Sequence, residues 1–535
     1  MPLRELFTAI DIGSHSVRMC LAEMSRRGFK KLENLNVSVD LGKDTFNEGK
    51  ISHKVLGDVV DYLLNFEEKM NEYGARKYRA VATSAFREAK NRDVALDRIW
   101  KQANLSVDVI EGAEEARLID QRLAHLVEGH LGYDRGTSLL LAFGAGSCQI
   151  AVRRAGHVLF SETHPLGTVR LREISGIGGK TLNNVMSSFV ERVAESLRRL
   201  HELEYTDSIF VINEGLPRLL SKAYRVRDQG NVVRVSRKRL LQFIADARGG
   251  SEKLAIENNI RFDDADSLCA SLNLIDAFLG LTKGRTVYFP ELSLVDALLY
   301  DELLHVQGRR GDRAWLETAE SAVLSIGQKY NADKAHHLHV KKLAMRLFDQ
   351  LQDFCGLDEE DRPILLLASL LHDIGAYVNP RGHHKHSAYL ISHSEIMGLD
   401  PAMVNKVAQV ARFHRRSFPK PQHREFQQLD KSDQLVVRKL AALLRIADAL
   451  DREHVQRVSH LRVELGENDL TIVCAIPEGG DLGVSGWAMQ KKADMFEELF
   501  GVQVKCRVAE GNVYEPDAGL LELDFEGDFE GDFEG

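Results

Sequence analysis

The sequence predicts a multidomain chain in which an α/β half is followed by an all-α domain and a small C-terminal α/β cap. The chain has 535 residues, which is enough for about three or four domains. Short apolar strand candidates alternate with helical patterns through roughly the first 300 residues, the order typical of α/β proteins. From Trp315 to about Glu453 the apolar spacing turns helical almost throughout.

The chain opens with a strand, a glycine turn and a second strand over FTAIDIGSHSVRMCLAE, residues 7–23. LLLAFGAGSCQIA, residues 139–151, repeats this pattern about 130 residues later. Two such hairpins suggest a duplicated domain that grips a phosphate chain between its halves. Further strands are predicted at 81–84 and 107–110, and helices around 53–73, 93–103 and 114–129.

The second half begins after a polar linker candidate, QGRRGDR, at 307–313. Residues 314–453 are predicted to form the helical domain, as in the apolar run ILLLASLLHDIG at 364–375. Residues 454–523 are predicted to form the cap, with strands HLRVEL, DLTIVCAI and VQVKCRV and a helix at about 487–500. The tail, 524–535, is DFEG three times over and is left out of the fold as low-complexity sequence.

Composition excludes several classes of function. Seventy basic and 79 acidic residues give a formal charge of −9, which argues against a non-specific binder of duplex DNA. Six widely scattered cysteines argue against a disulfide framework or a cysteine-zinc site. No apolar run of about 18 residues predicts a membrane span, and the N-terminus lacks the pattern of a secretory signal. The expected location is the cytoplasm.

The first hairpin carries residue types that suit phosphate binding. Glycine lets the backbone approach a phosphate closely, and the hydroxyls of Ser14 and Ser16 can donate hydrogen bonds. Asp11, at the mouth of the turn, could position Mg²⁺ or its water. Glu114 and Glu115 fall at the start of a predicted helix, and a glutamate there could orient and deprotonate a water for in-line attack. Each feature alone also fits a plain strand turn or an acidic helix start.

Four segments in order resemble the exopolyphosphatase / guanosine pentaphosphate phosphohydrolase family, which has a duplicated actin-like (ribonuclease H-like) ATPase fold. They are AIDIGSHSVRM (9–19), AVATSAFREAKN (80–91), VIEGAEEARLI (109–119) and LLLAFGAGSCQIAV (139–152). The resemblance implies an actin-like subdomain I over 1–128 and a subdomain II over 129–306. It also implies hydrolysis of inorganic polyphosphate or guanosine pentaphosphate with Mg²⁺, by a homodimer. The composition, independently of the resemblance, predicts a cytoplasmic protein that binds no duplex DNA and no membrane.

The same resemblance implies the roles of particular residues. Glu115 matches the catalytic base and Arg87 an arginine that holds phosphate, for which a fixed guanidinium is suited. The implied phosphate-binding residues of the two loops are Asp11, Gly13, Ser14, His15, Ser16, Gly144, Ala145, Gly146 and Ser147.

Three departures from the family pattern bear on activity. The family's second loop reads D-I-G-G-G-S-T-E, whereas this chain has Ala142 and Gln149 in place of its two acidic residues. His15 stands where family members usually have asparagine. A later glycine-threonine loop appears here as NEGLP, residues 213–217. Each change removes a ligand or an amide from a site that works by electrostatic positioning.

The helical half resembles the HD-type domain that many members carry, in LLHDIGAYVNPRGHHKHSAYLI (370–391) and ARFHRR (411–416). The implied metal ligands are His336, His372, Asp373 and Asp448, joined in two-metal versions of the site by His386 and His414. His383 and His384 are alternatives for one position, and Asp451 is expected at a helix end on the surface. Imidazole and carboxylate ligands suit Mn²⁺, Fe²⁺, Zn²⁺ or Mg²⁺.

Three hypotheses follow. In the first, Glu115 assists water attack on the terminal phosphate of polyphosphate or a guanosine polyphosphate in the actin-like half. In the second, metals in the helical domain hydrolyse a phosphoester and the altered actin-like half senses a ligand. In the third, the altered loops bind polyphosphate or an alarmone without turning it over.

Overall fold

The computed structural model describes residues 5–127, 133, 136–175, 181–198, 206–224, 232–247, 250–307, 314–416, 418–477 and 480–509. Residues 308–313 of the predicted linker and the whole DFEG tail lie outside the described residues. The chain divides into two compact units, Met1–Ala332 with Asp373–Ala408, and Asp333–His372 with Gln409–Gly535. Each unit contains part of the predicted helical domain, 314–453. The predicted domain limits stay predictions.

The strands and helices of the N-terminal part alternate, as predicted. The strands are β1 (Glu5–Ile12), β2 (Ser16–Ser25), β3 (Gly28–Ser38), β4 (Lys77–Ala82), β5 (Val107–Val109), β6 (Thr137–Phe143), β7 (Cys148–Arg154), β8 (His157–His164), β9 (Ser208–Ile212), β10 (Val232–Ser236) and β11 (Thr286–Pro290). The helices are α1 (Leu41–Glu48), α2 (His53–Tyr73), α3 (Ser84–Glu88), α4 (Arg92–Ala103), α5 (Gly112–Leu126), α6 (Thr168–Ser175), α7 (Thr181–Arg198), α8 (Leu216–Tyr224), α9 (Arg237–Ala247), α10 (Ser251–Asn258), α11 (Phe262–Leu279) and α12 (Leu294–Val306).

The remainder is mainly helical and ends in a small sheet. Its helices are α13 (Ala314–Lys329), α14 (Lys334–Cys355), α15 (Arg362–Leu371), α16 (His383–Ser392), α17 (Pro401–Phe413), α18 (Arg424–Gln427), α19 (Lys431–Leu450), α20 (Gly483–Lys492) and α21 (Asp494–Phe500). Its strands are β12 (His460–Leu465), β13 (Asp469–Ala475) and β14 (Gln503–Val508). The helical periodicity and the three predicted cap strands are thus confirmed, while the single helix predicted at 487–500 is two helices.

The two large sheets share one topology. The first has the strand order β3-β2-β1-β4-β5, and the second repeats it as β8-β7-β6-β9-β11, with β10 added at the edge. In both, the first three strands are antiparallel and the central strand pairs in parallel with the fourth. The duplication that the two hairpins suggested is therefore present in the fold.

Each sheet has a core of its own. Every residue of β6 is buried, which is typical of a central strand covered on both faces.

Two helices of the N-terminal part show how local and distant contacts fix their positions. The N-cap residue of α2 is Ser52, whose side chain accepts a hydrogen bond from the Val55 amide. α12, from the end of the predicted subdomain II, packs against β1, β2 and α5 of the first sheet. The chain thus returns to the first half after it has completed the second. A single boundary residue therefore does not separate the two predicted subdomains.

Candidate functional site

The turns of the two hairpins have the same geometry and line one cleft. The Gly13 amide donates to the carbonyl of Ser16 at 2.9 Å, and the Gly144 amide donates to the carbonyl of Ser147 at 2.9 Å. Both loops border a cleft of about 520 Å³. All nine predicted phosphate-binding residues line it, as does Glu115. The two turns that the motifs singled out therefore border one cleft together with Glu115.

Gly146 holds the second loop against the first half of the fold. A Cβ atom on Gly146 would lie 2.2 Å from Ser84 Oγ and 2.6 Å from the Phe46 ring. The hydroxyl of Ser84 in turn hydrogen-bonds that of Ser14 at 2.9 Å. The two loops thus meet through Ser84, at the start of α3, and only glycine fits at the contact.

We expect Gly146→Ala to lower the thermal unfolding midpoint, because overpacking at a tight contact typically costs about 1–3 kcal/mol. Gly57→Ala is the matched control, since Gly57 lies within α2 and the nearest atom to its added Cβ would be 3.6 Å away. Alanine favours a helix over glycine, so this control should leave the midpoint unchanged or raise it. Equal losses in the two variants would contradict the tight contact at Gly146.

The adjacent glutamates at the start of α5 have different surroundings. Glu114 pairs with Arg117 at 2.7 Å and with Arg79 at 3.2 Å. Burial alone would raise the pKa of Glu114, but these two guanidinium groups hold it below its usual value. Both arginines also pair with Asp301 on α12. Glu114 is therefore committed to a structural ion cluster that joins α5, β4 and α12.

Glu115 instead faces the cleft. Its Oε2 atom is buried and, among the described residues, has no hydrogen-bond partner. Arg87 lies 3.6 Å from that oxygen and donates to the carbonyl of Ile110 at 2.6 Å. Burial raises the pKa of Glu115, and Arg87 offsets this only in part. A carboxylate with a raised pKa in a cleft that water can enter is suited to accept a proton from water.

Asp11 supplies a second carboxylate on the floor of the cleft. It is buried, and within the described part of the chain its Oδ1 atom has no hydrogen-bond partner. Burial raises the pKa of Asp11 to about 6, with Arg18 opposing the rise and Glu115 adding to it. Two interacting carboxylates with free oxygens fit the way Mg²⁺ is usually held, by one or two carboxylates together with substrate phosphates.

The altered second loop offers no such group. In the duplicated topology Asp11 pairs with Arg18 across the first hairpin, and Ala142 pairs with Gln149 at the same place in the second. The carboxylates of the cleft therefore come from the first half and from Glu214 and Asp264 of the second. Neither Glu214 nor Asp264 was predicted from the sequence as a site residue. The only signal in the sequence for Glu214 was its position in the altered loop 213–217.

A histidine cluster forms in the unit made of Asp333–His372 and Gln409–Gly535. His336 Nε2 and His372 Nε2 lie 3.7 and 3.6 Å from Asp448 Oδ1, and all three residues are buried. The rings of His372 and His414 meet edge to face at 5.1 Å between centroids. Four of the predicted ligands are thus near one another.

The Nδ1 atoms of these histidines have hydrogen-bond partners of the kind found for metal-ligating histidines. His372 Nδ1 lies 2.8 Å from the carbonyl oxygen of Ser369, and His414 Nδ1 lies 2.6 Å from that of Ala411. A carbonyl only accepts, so each Nδ1 carries the proton and leaves Nε2 as the ligating atom. His336 Nδ1 contacts Asp451 at 2.9 Å. The expected surface position of Asp451 is wrong: its side chain is 1% exposed, because α19 turns it inward toward His336.

Lys492, which no sequence pattern pointed to, forms an ion pair with the second oxygen of Asp448 from the end of α20. Burial alone would raise the pKa of Asp448, but Lys492, followed by the histidines, holds it well below its usual value.

Two predicted ligands belong to the other compact unit. Asp373 forms an ion pair with His383 at 2.8 Å. His383 is one of the two histidines that were predicted as alternatives for one ligand position. Among the described residues, no group of three potential ligands includes His386.

The sequence matches known families over most of its length. Residues 21–208 match the profile of the Ppx/GppA phosphatase family, and residues 319–479 match that of Ppx/GppA phosphatase, domain III. A guanosine-5'-triphosphate,3'-diphosphate pyrophosphatase of Aeromonas hydrophila is 24% identical over 493 residues, covering 89% of this chain and 93% of that protein. Its namesake in Aliivibrio fischeri is 23% identical over 420 residues, covering 77% and 81%.

Among solved structures, the exopolyphosphatase from Cytophaga hutchinsonii is similar with a TM-score of 0.50 and 21% identity, covering 56% of this chain and 99% of that one. This likeness shows the fold. Among the described residues, no helix is long and apolar enough to cross a membrane.

Proposed function

Because the chain belongs to the Ppx/GppA phosphatase family, we propose that it removes the terminal phosphate of inorganic polyphosphate or a guanosine polyphosphate in the cleft between its two sheets. The observation that carries this proposal is the pair of unpartnered carboxylate oxygens, Asp11 Oδ1 and Glu115 Oε2, in the cleft that the two glycine turns also line.

Each residue then has a defined task. The amides and hydroxyls of the two turns bind the phosphate chain, and Glu115 takes a proton from the attacking water. Arg87, beside Glu115, neutralises negative charge at the reacting phosphate. Asp11 would hold Mg²⁺ together with the substrate phosphates, and the ion would neutralise charge on the phosphate oxygens. The water oxygen bonds to the terminal phosphorus as the bridging P–O bond breaks, and the shortened phosphate chain leaves with the negative charge on that bridging oxygen. The proton that leaves the water stays on Glu115 until solvent removes it.

The direct test is release of inorganic phosphate from long-chain polyphosphate and from guanosine pentaphosphate, with Mg²⁺ and then Mn²⁺. Release from either substrate supports the proposal, and their relative rates identify the preferred one. Saturable binding with no product over hours would instead support a protein that binds polyphosphate or an alarmone without turning it over.

The histidine cluster favours a second candidate function, a metal-dependent phosphohydrolase of HD type. Two imidazoles and one carboxylate converge in a buried site whose outer hydrogen bonds fit metal ligation. His336, His372 and Asp448 would hold a divalent ion such as Mn²⁺, Fe²⁺ or Zn²⁺, which would act as a Lewis acid on a phosphoryl oxygen.

Metal content tests this candidate without any activity assay. We expect the purified chain to contain a divalent metal that Asp448→Asn removes, because the variant loses the only anionic member of the trio. Asp433→Asn is the matched control, since Asp433 lies partly exposed in the first turn of the same helix. Elemental analysis by mass spectrometry reads the result, and circular dichroism checks the fold. Metal-free wild-type protein, or equal metal in both variants, would count against this site.

A further inference from the structure

Arg18 lines the cleft and carries one buried hydrogen-bond donor that no described residue accepts from. It lies on β2 beside the first phosphate turn, and its guanidinium donates to Ser16 Oγ at 2.7 Å. Its side chain is 13% exposed. Its Nε is buried and, within the described residues, has no hydrogen-bond partner. A buried fork of this kind next to a glycine turn is suited to a phosphate group.

A carboxylate of the second half occupies this arginine. Glu214, in the loop between β9 and α8, contacts Arg18 through both of its oxygens. The Glu214 side chain is 49% exposed, so it can move into water at little cost while Arg18 stays in place. A carboxylate paired in this way occupies the position and the donors that a phosphate oxygen would use.

The loop that carries Glu214 is held firmly. The side-chain oxygen of Asn213 accepts from the amides of Gly215 and Leu216 at 3.2 and 3.3 Å. A Cβ atom on Gly215 would lie 2.8 Å from Leu268. Backbone on both sides of Glu214 is therefore fixed, and the freedom to leave Arg18 lies in the glutamate side chain.

A second pair links the same two parts of the cleft. Asp264 on α11 lies 3.6 Å from His15 Nε2 in the first turn. His15 and Glu214 thus each form an ion pair that joins the two halves of the cleft.

We propose that Glu214 is a displaceable stand-in for substrate: it occupies Arg18 while the cleft is empty, and a phosphate of the incoming chain takes its place. The inference rests on the proposed function, because it takes the cleft to bind a phosphate chain. Arg18 is then a substrate ligand, and Glu214 sets how tightly and how selectively polyanions bind. Short or weakly charged anions cannot compete with the resident carboxylate as well as a longer chain does.

Isothermal titration of the full chain with inorganic triphosphate, in Mg²⁺-free buffer so that turnover is suppressed, tests the proposal. We expect Glu214→Gln to lower the Kd by about 2- to 5-fold, the upper part of the range expected when a half-exposed ion pair no longer competes. Glu257→Gln removes the same charge from an exposed pair with Lys253 on α10, next to Asn258 at the cleft, and should change the Kd by less than about twofold.

The two substitutions should also be coupled. Arg18→Gln should weaken binding, and Glu214→Gln should bring no gain in that background, because its target is gone. Arg18→Lys, which keeps the charge without the fork, guards against a folding defect and should likewise weaken binding. An unchanged Kd in Glu214→Gln, or an equal gain with and without Arg18, would overturn the proposal.

Phosphate release is measured separately, so the two proposals fail distinguishably. Tighter triphosphate binding in Glu214→Gln without hydrolysis by any variant would support the stand-in and contradict the hydrolase. Hydrolysis together with an unchanged Kd in Glu214→Gln would support the hydrolase and contradict the stand-in. Absence of triphosphate binding in every variant would overturn the stand-in.

Discussion

Replacing Glu115 by glutamine is expected to slow phosphate release at saturating substrate by about 10²- to 10⁴-fold, the usual contribution of a general base. Glutamine keeps the size of the side chain but cannot accept a proton from water. The dissociation constant for triphosphate should change little, because the loops and Arg18 remain.

The neighbouring glutamate provides the control for this variant. Glu114→Gln removes the same charge one residue away, but from the ion cluster with Arg79 and Arg117. It should lower the unfolding midpoint and leave the turnover number within a few-fold of wild type. The role of Glu115 as the base would be contradicted by full turnover in Glu115→Gln, or by equal losses in the two variants.

Asp11→Asn is expected to stabilise the protein at neutral pH while lowering its activity. Burial raises the pKa of Asp11 to about 6 from an ordinary value of 3.8. A carboxyl with a raised pKa favours the folded state only while it is neutral, so that stability is lost as pH rises from about 4 through about 6. The difference corresponds to about 3 kcal/mol above pH 7, which a neutral asparagine avoids.

Urea unfolding of wild type and Asp11→Asn at pH 4 and pH 8 measures this effect. The two should be nearly equal at pH 4, and the variant should be more stable at pH 8. Asp108→Asn, on the exposed side of β5, should show no such pH dependence. If Asp11 helps to hold Mg²⁺, added Mg²⁺ at pH 8 should stabilise wild type alone. The difference in unfolding free energy between the variant and wild type should then become smaller. A difference in stability between variant and wild type that is the same at both pH values would contradict a buried Asp11 carboxyl with a raised pKa.

Much of the fold follows from local patterns. The helix predicted over 53–73 coincides with α2, and the predicted strand HLRVEL coincides with β12. Periodicity and turn residues act over short stretches of chain, so they define such elements well. The repeated glycine turn also predicted the duplication. The return of α12 to the first sheet was not predicted, because it depends on packing between distant segments.

The same distinction applies to the site. Glu115 and both turns were located from motifs, whereas spacing alone gave no way to tell that Glu114 joins an ion cluster. Asp451 was misplaced because a residue at a helix end can face either way, and only the packing of α19 decides. Lys492 and Glu214 reach their partners, Asp448 and Arg18, across 44 and 196 residues. A sequence without aligned relatives carries no signal for such pairs.

The proposed hydrolysis takes place in the cleft despite the altered second loop. Phosphate release from polyphosphate and from guanosine pentaphosphate, measured side by side for wild type, Glu115→Gln and Asp448→Asn, tests it most directly. We predict that Glu115→Gln loses activity and that Asp448→Asn retains most of it. Activity that survives in Glu115→Gln and disappears in Asp448→Asn would contradict the claim and place the reaction at the histidine cluster.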